Sequence, residues 1–132
     1  MNQSRSSSNI LTIAHLNIHG QSGLQIPKQK QIEDFIKFNN IDILHCQEIN
    51  ISDESFEGCN YIKSCFNIIQ NNATNKYGTA SIVKNFLKVE NVKMDTRGRA
   101  IIFDISNFTT GNVYLQSGTD GNSRGQREQC QT

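Results

Sequence analysis

Two polar residues, Asn17 and Glu48, each follow an apolar run. Glu48 closes Ile41-Asp42-Ile43-Leu44-His45-Cys46-Gln47-Glu48, whose apolar positions are Ile41, Ile43, Leu44 and Cys46. That density suits a strand covered on both faces. Asn17 follows Ile10-Leu11-Thr12-Ile13-Ala14-His15-Leu16, a run of apolar and β-branched residues that also reads as a buried strand. In open α/β sheets, ligands bind in the crevice beyond the carboxyl ends of the strands. A carboxylate and a carboxamide at such ends are therefore candidates for chemistry on a bound ligand. Taken singly, each has an ordinary reading: an Asn after a strand is a common turn residue, and a Glu there is a solvated acid. The pair gains weight only if the chain brings its two strands side by side.

The segment between them does so. Asn17-Ile18-His19-Gly20 leads into a Gly- and Ser-containing loop, and Pro27 suits a helix start. Ile32, Phe35 and Ile36 then recur at i, i+3, i+4, with Lys28, Lys30, Glu33, Asp34 and Lys37 elsewhere, and Asn39-Asn40 provides a stop. Strand, helix, strand at this spacing is a βαβ unit, whose crossover is almost always right-handed. Its strands lie parallel, which puts Asn17 and Glu48 at one carboxyl edge.

The second half changes character. Residues 53–60 are acidic and turn-like; Tyr61 to Ile69, Gly78 to Val83, Phe86 to Val92, Arg99 to Ile105 and Asn112 to Leu115 read as closely spaced strands. Turns are expected at residues 71–75, at Thr96-Arg97-Gly98 and from Asn107 to Gly111, giving an antiparallel meander. From Gln116 the chain becomes Gly- and Ser-rich, and residues 123–129 read as a helix beginning.

With 132 residues the chain allows one small domain, able to bury roughly two-thirds of its unfolded surface. Its net charge of +1 supplies no global field toward nucleic acid or membrane. The basic residues are uneven, however: Lys93, Arg97, Arg99, Arg124 and Arg127 fall in the last third. Cys46, Cys59, Cys65 and Cys130 form no C-x-x-C pair and read as free thiols. Residues 1–9 are polar and are expected to be a disordered leader. The run from Ile10 to Leu16 is too short for a signal peptide or membrane span. A nuclear or cytoplasmic protein that is not secreted and has no membrane partner is expected.

Three segments in this order resemble the endonuclease/exonuclease/phosphatase superfamily: Leu16-Asn17-Ile18-His19-Gly20, Asp42-Ile43-Leu44-His45-Cys46-Gln47-Glu48 and Asn112-Val113-Tyr114-Leu115-Gln116-Ser117-Gly118. The chain looks most like the apurinic-endonuclease-like domain of non-LTR retrotransposons, where the third segment continues into a Ser-Gly-Thr run and an Arg-containing helix start. Here these are Ser117-Gly118-Thr119 and Arg124-Gly125-Gln126-Arg127-Glu128. Gly78-Thr79-Ala80 and Gly98-Arg99 also match, and the resemblance covers residues 10 to 130. His19 stands where Asn or Arg is frequent, and Gln116 where Pro is frequent.

The resemblance implies an α/β fold: the N-terminal half of a four-layer α/β sandwich, a βαβ unit followed by a mostly antiparallel meander, truncated. Residues 10–132 are expected to be a partial domain lacking its C-terminal half. In such enzymes an Asp-x-Asn pair, a later Asp and a C-terminal Ser-Asp-His complete the catalytic set, and the resemblance assigns no residue of this chain to them. It implies Mg²⁺ (or Mn²⁺) as cofactor, with Glu48 as the metal carboxylate. Asn17 would join Glu48 at the metal and hold a metal-bound water or a phosphate oxygen, Tyr114 would donate its hydroxyl to a phosphate oxygen, and Arg124 and Arg127 would contact nucleic-acid backbone. His15 and His45 lie within expected strands and read as core or sheet-face residues. The implied function is phosphodiester hydrolysis in DNA by part of a retrotransposon-derived reading frame, inactive as it stands. Its implied partners are the missing half of the domain and a downstream reverse transcriptase. Two alternatives stand beside it: a phosphoesterase of the same superfamily acting on phosphoinositides, and a non-catalytic remnant or binding module.

Overall fold

The computed structural model describes residues 10–19, 24–72 and 78–115. It opens with the expected βαβ unit: β1 (Ile13–Asn17), α1 (Ile26–Phe38) and β2 (Ile43–Ile49). β1 and β2 are parallel and in register from Ile13 opposite Ile43 to Asn17 opposite Gln47. β2 then pairs antiparallel with β4 (Gly78–Lys84), and β4 with β3 (Phe66–Asn71), giving sheet one in the order β1-β2-β4-β3. A three-stranded antiparallel sheet two follows in the order β5 (Val89–Met94), β6 (Ala100–Ile105), β7 (Phe108–Val113).

Alternation along the central strands assembles the layers. Leu44 and Cys46 of β2, with Ala80 and Ile82 of β4, pack against Ile32 and Ile36 of α1. The residues of opposite parity, Ile43 and Val83, pack against Ile101, Phe103 and Ile105 of sheet two. Sheet one is thus the middle of a helix–sheet–sheet stack, which explains why β2 reads as nearly continuous apolar sequence.

Three segments differ from expectation. The run from Tyr61 to Ile69 is a helix and then a strand: α2 (Asn60–Cys65) leads directly into β3. α2 has no side-chain cap of its own. The backbone N–H groups of Tyr61 and Ile62 instead donate to the Glu33 carboxylate of α1, at 2.9 and 3.3 Å. Glu33 is therefore a buried tertiary cap, not a solvated charge. One turn earlier, the Gln29 carboxamide accepts from the Phe56 N–H at 2.8 Å.

The expected turn from Asn107 to Gly111 is mostly strand. The hairpin closes in two residues, Ser106-Asn107, with Ile105 opposite Phe108. Ser106 supplies the positive φ that such a tight turn requires, at 55°. The expected strand from Phe86 to Val92 begins three residues later, at Val89.

The turn joining β5 to β6 falls where Thr96-Arg97-Gly98 placed it. The Asp95 carboxylate accepts from the N–H groups of Arg99 and Ala100 (2.8 and 3.0 Å) and from the Asn71 carboxamide (3.0 Å). Burial pushes the Asp95 carboxyl up, but these donors outweigh it and hold it below the usual range. Asn71 belongs to β3, so the bond also fastens sheet two to sheet one.

Candidate active site at the carboxyl edge of sheet one

The parallel register places Asn17 and Glu48 as the βαβ unit requires, and their side chains meet. Asn17 Nδ2 donates to Glu48 Oε2 at 3.1 Å. The other end of the same carboxamide, Oδ1, accepts the backbone N–H of His19 at 3.0 Å. Asn17 therefore fixes both a carboxylate and the loop beside it. The Glu48 side chain is 15% exposed, shielded yet open at the edge.

Glu48 does not simply end its strand. The ladder between β2 and β4 slips between Gln47, opposite Thr79, and Ile49, opposite Gly78, so Glu48 is the extra residue of a bulge. Its φ is +56°, a conformation in which a non-glycine residue is strained. Without the slip, Ile49 would share the face of His45 and Gln47; with it, Ile49 joins the helix-side core. Bulges bend a strand and re-aim side chains, often beside functional sites. Here the bulge frees Glu48 from both packed faces.

Behind the edge, a buried polar network spans the two sheets. His45 bonds Ser81 Oγ through Nδ1 (2.7 Å) and Thr110 Oγ1 of β7 through Nε2 (2.8 Å). Gln47 Nε2 donates to Asn112 Oδ1 at 2.8 Å. Asn112 Nδ2 in turn donates to the carbonyls of Cys46 (3.2 Å) and Ala80 (3.0 Å). Burial, and then the nearby His15 imidazole, lower the His45 pKa to about 4, so this histidine is neutral and internal. Both its ring nitrogens are used within the core. Burial likewise pushes the neighbouring Cys46 thiol up to about 12, which makes it an inert core group.

The network also places Tyr114. Thr110 meets His45 and Asn112 meets Gln47, so β7 runs beside β2 in the same direction. Tyr114 follows β7, two residues past Asn112. It is half-buried, just beyond β7, and its N–H donates to the Arg99 carbonyl at 2.8 Å. Arg124 and Arg127 lie outside the described residues.

Sequence reasoning did not pair His19 with Glu48. His19 Nδ1 lies 3.5 Å from Glu48 Oε1, the carboxylate oxygen that Asn17 leaves open. Among the described residues, no three His, Cys, Asp or Glu side chains converge on one point. The edge offers a carboxylate, a carboxamide and an imidazole. Mg²⁺ commonly takes one or two protein carboxylates and keeps several waters, so the oxygen donors fit such an ion.

Comparison with solved structures identifies the architecture. The structure of 3′ phosphatase NExo from Neisseria bound to product DNA hairpin superposes with a TM-score of 0.69 and 19% identity, over 91% of this chain and 48% of that one. An AP endonuclease from Archaeoglobus fulgidus gives 0.66 and 19%, over 92% and 48%. Truncated TDP2 from Caenorhabditis elegans gives 0.62 and 22%, over 90% and 49%. All three are members of the endonuclease/exonuclease/phosphatase superfamily. The chain carries that fold and spans about half the length of the solved structures it matches. No family model matches the sequence. No curated protein matches it either. Among the described residues, no helix is long and apolar enough to cross a membrane.

Proposed function

We propose that this chain is part of a divalent-cation-dependent phosphodiesterase domain that acts on DNA. The observation that carries the reading is the placement of Glu48. It is a carboxylate held by Asn17 through one oxygen, turned out of the packing by a bulge, at the ligand-binding edge of a fold shared with DNA-processing phosphoesterases.

In this reading Glu48 Oε1 holds Mg²⁺ or Mn²⁺, and Asn17 acts by fixing the carboxylate and the loop of His19. The bound cation would neutralise charge on the phosphate and on the leaving oxygen. Tyr114, two residues past Asn112, donates its hydroxyl to a phosphate oxygen. Arg124 and Arg127 contact the nucleic-acid backbone, and with Ser117-Gly118-Thr119 they support an origin in a retrotransposon reading frame that continues into a reverse transcriptase. Such a protein works in the nucleus or cytoplasm. None of the residues assigned here is a base for water: His45 is consumed by the core, and His19 abuts the metal carboxylate. These 132 residues are therefore read as able to bind a cation but not to cut.

Water-proton relaxation by Mn²⁺ tests the cation site. Enhancement by the wild-type chain should be largely lost in Glu48→Gln, and equal binding by the two would overturn the reading. In a supercoiled-plasmid assay with Mg²⁺, neither protein should nick. Nicking that is lost in Glu48→Ala would show that a base is present after all.

A further inference from the structure

His19 has no part in the packing: its side chain is 74% exposed, and its φ of 57° lies in the left-handed region. Yet the ring does not point away. The backbone N–H is pinned by Asn17 Oδ1, and the ring returns to Glu48 with Nδ1 3.5 Å from Oε1. That distance is too long for an N–H···O hydrogen bond, whose usual range is about 2.7–3.2 Å. It is an ion-pair separation if the ring is protonated, and close enough for the two atoms to share one cation. Asn17 thus positions both donors, one through each end of its carboxamide, and occupies neither of the atoms that face each other. The other histidines of the described residues do not compete. His45 has both nitrogens bonded, and His15 stacks on it at 4.8 Å.

We infer that His19 is a nitrogen ligand of the cation, its Nδ1 joining Glu48 Oε1, and that the site therefore prefers Mn²⁺ to Mg²⁺. This rests on the reading of Glu48 as the metal carboxylate. The reason for the preference is ligand chemistry. Imidazole is a good donor to first-row transition ions, whose affinities rise along the series from Mn²⁺, whereas Mg²⁺ is served by oxygen and gains little from nitrogen.

The test uses the full chain loaded with Mn²⁺ alone, read by electron spin-echo envelope modulation, which reports directly bonded ¹⁴N. The comparison variant is His19→Asn, since Asn tolerates the backbone conformation and offers oxygen instead. Wild type should show imidazole ¹⁴N modulation and His19→Asn should not. The variant should also bind Mn²⁺ about tenfold or more weakly, with Mg²⁺ affinity, measured by displacement of Mn²⁺, unchanged. If Mn²⁺ binds, is lost in Glu48→Gln, and yet shows no ¹⁴N modulation in wild type, the inference fails while Glu48 keeps its role. Modulation that persists in His19→Asn also overturns it. Absence of Mn²⁺ binding by wild type overturns both.

Discussion

Sheet one is covered on both faces, by α1 and by sheet two, whereas among the described residues sheet two is covered only on the face it turns to sheet one. The strands show it directly. β4 is buried at every position from Gly78 to Val83. β6 instead alternates, with Ile101, Phe103 and Ile105 buried and Ile102 exposed, and Val92, Met94 and Val113 of its neighbours are exposed as well. Asn17 and Glu48 sit at the edge of the sheet that is held from two sides. Strand ends can serve as fixed points for a ligand only when neither face of the sheet is free to shift. Sheet two contributes to the edge at one remove, by setting the position of Gln47 through Asn112.

This contrast can be tested at three strengths. Ile82 is fully buried in the middle sheet, and Ile82→Ala should cost about 2–5 kcal/mol in denaturant unfolding. Ile102→Ala on the open face of sheet two should cost less than about 1 kcal/mol. Similar losses would mean that the two sheets are not covered differently.

The interface between the sheets should respond to acid. His45 is neutral in the fold with a pKa of about 4, and its ordinary value is 6.5. Between those values the unfolded chain binds the extra proton, so stability is complete above pH 6.5 and falls as the pH drops toward 4. The loss from this group is on the order of 3 kcal/mol between pH 7 and pH 4. Chemical denaturation across that range should show the fall, and His45→Gln should flatten it. A wild-type curve without that fall would mean that His45 is not buried between the sheets.

The smallest effect concerns amides. Asn112→Ala removes bonds to Gln47, Cys46 and Ala80 across the buried interface, and should cost about 1–3 kcal/mol. Asn91→Gly, which keeps the φ of 56° unstrained, removes a bond to Asp104 on the exposed side of sheet two, at 2.8 Å, and should change stability by about 0.5 kcal/mol or less. Thermal melts of the two variants measured side by side would rank them.

Much of this arrangement is readable in the residues. The apolar density from Ile41 to Cys46 and the i, i+3, i+4 spacing of Ile32, Phe35 and Ile36 carry local information, and they sufficed for the βαβ unit and for the shared edge of Asn17 and Glu48. What the sequence hides is non-local or conformational. Nothing about Glu48 as a residue type announces a positive φ; the bulge arises from the ladder with β4. His19 looked like loop variation because its partner lies across the parallel pair. Thr109-Thr110-Gly111 reads as a turn by composition, but a two-residue closure at Ser106-Asn107 leaves it free to be strand. Arg124 and Arg127 belong to a stretch outside the described residues, so their expected contact with nucleic acid is a matter for experiment.

The reach of Glu33 from α1 to the start of α2 makes one helix depend on another. A six-residue helix such as α2 lies well below the length at which a helix persists alone in water, and its first donors are satisfied only by a carboxylate 28 positions earlier. The segment from Phe56 to Cys65 is held by α1, which presents Gln29 and Glu33 one turn apart. β3 follows α2 without a linker, so the far edge of sheet one inherits the same dependence. Structurally, support runs outward from the βαβ unit. The edge that bears Asn17 and Glu48 belongs to the supporting unit, and the strand farthest from it leans on a single buried acid.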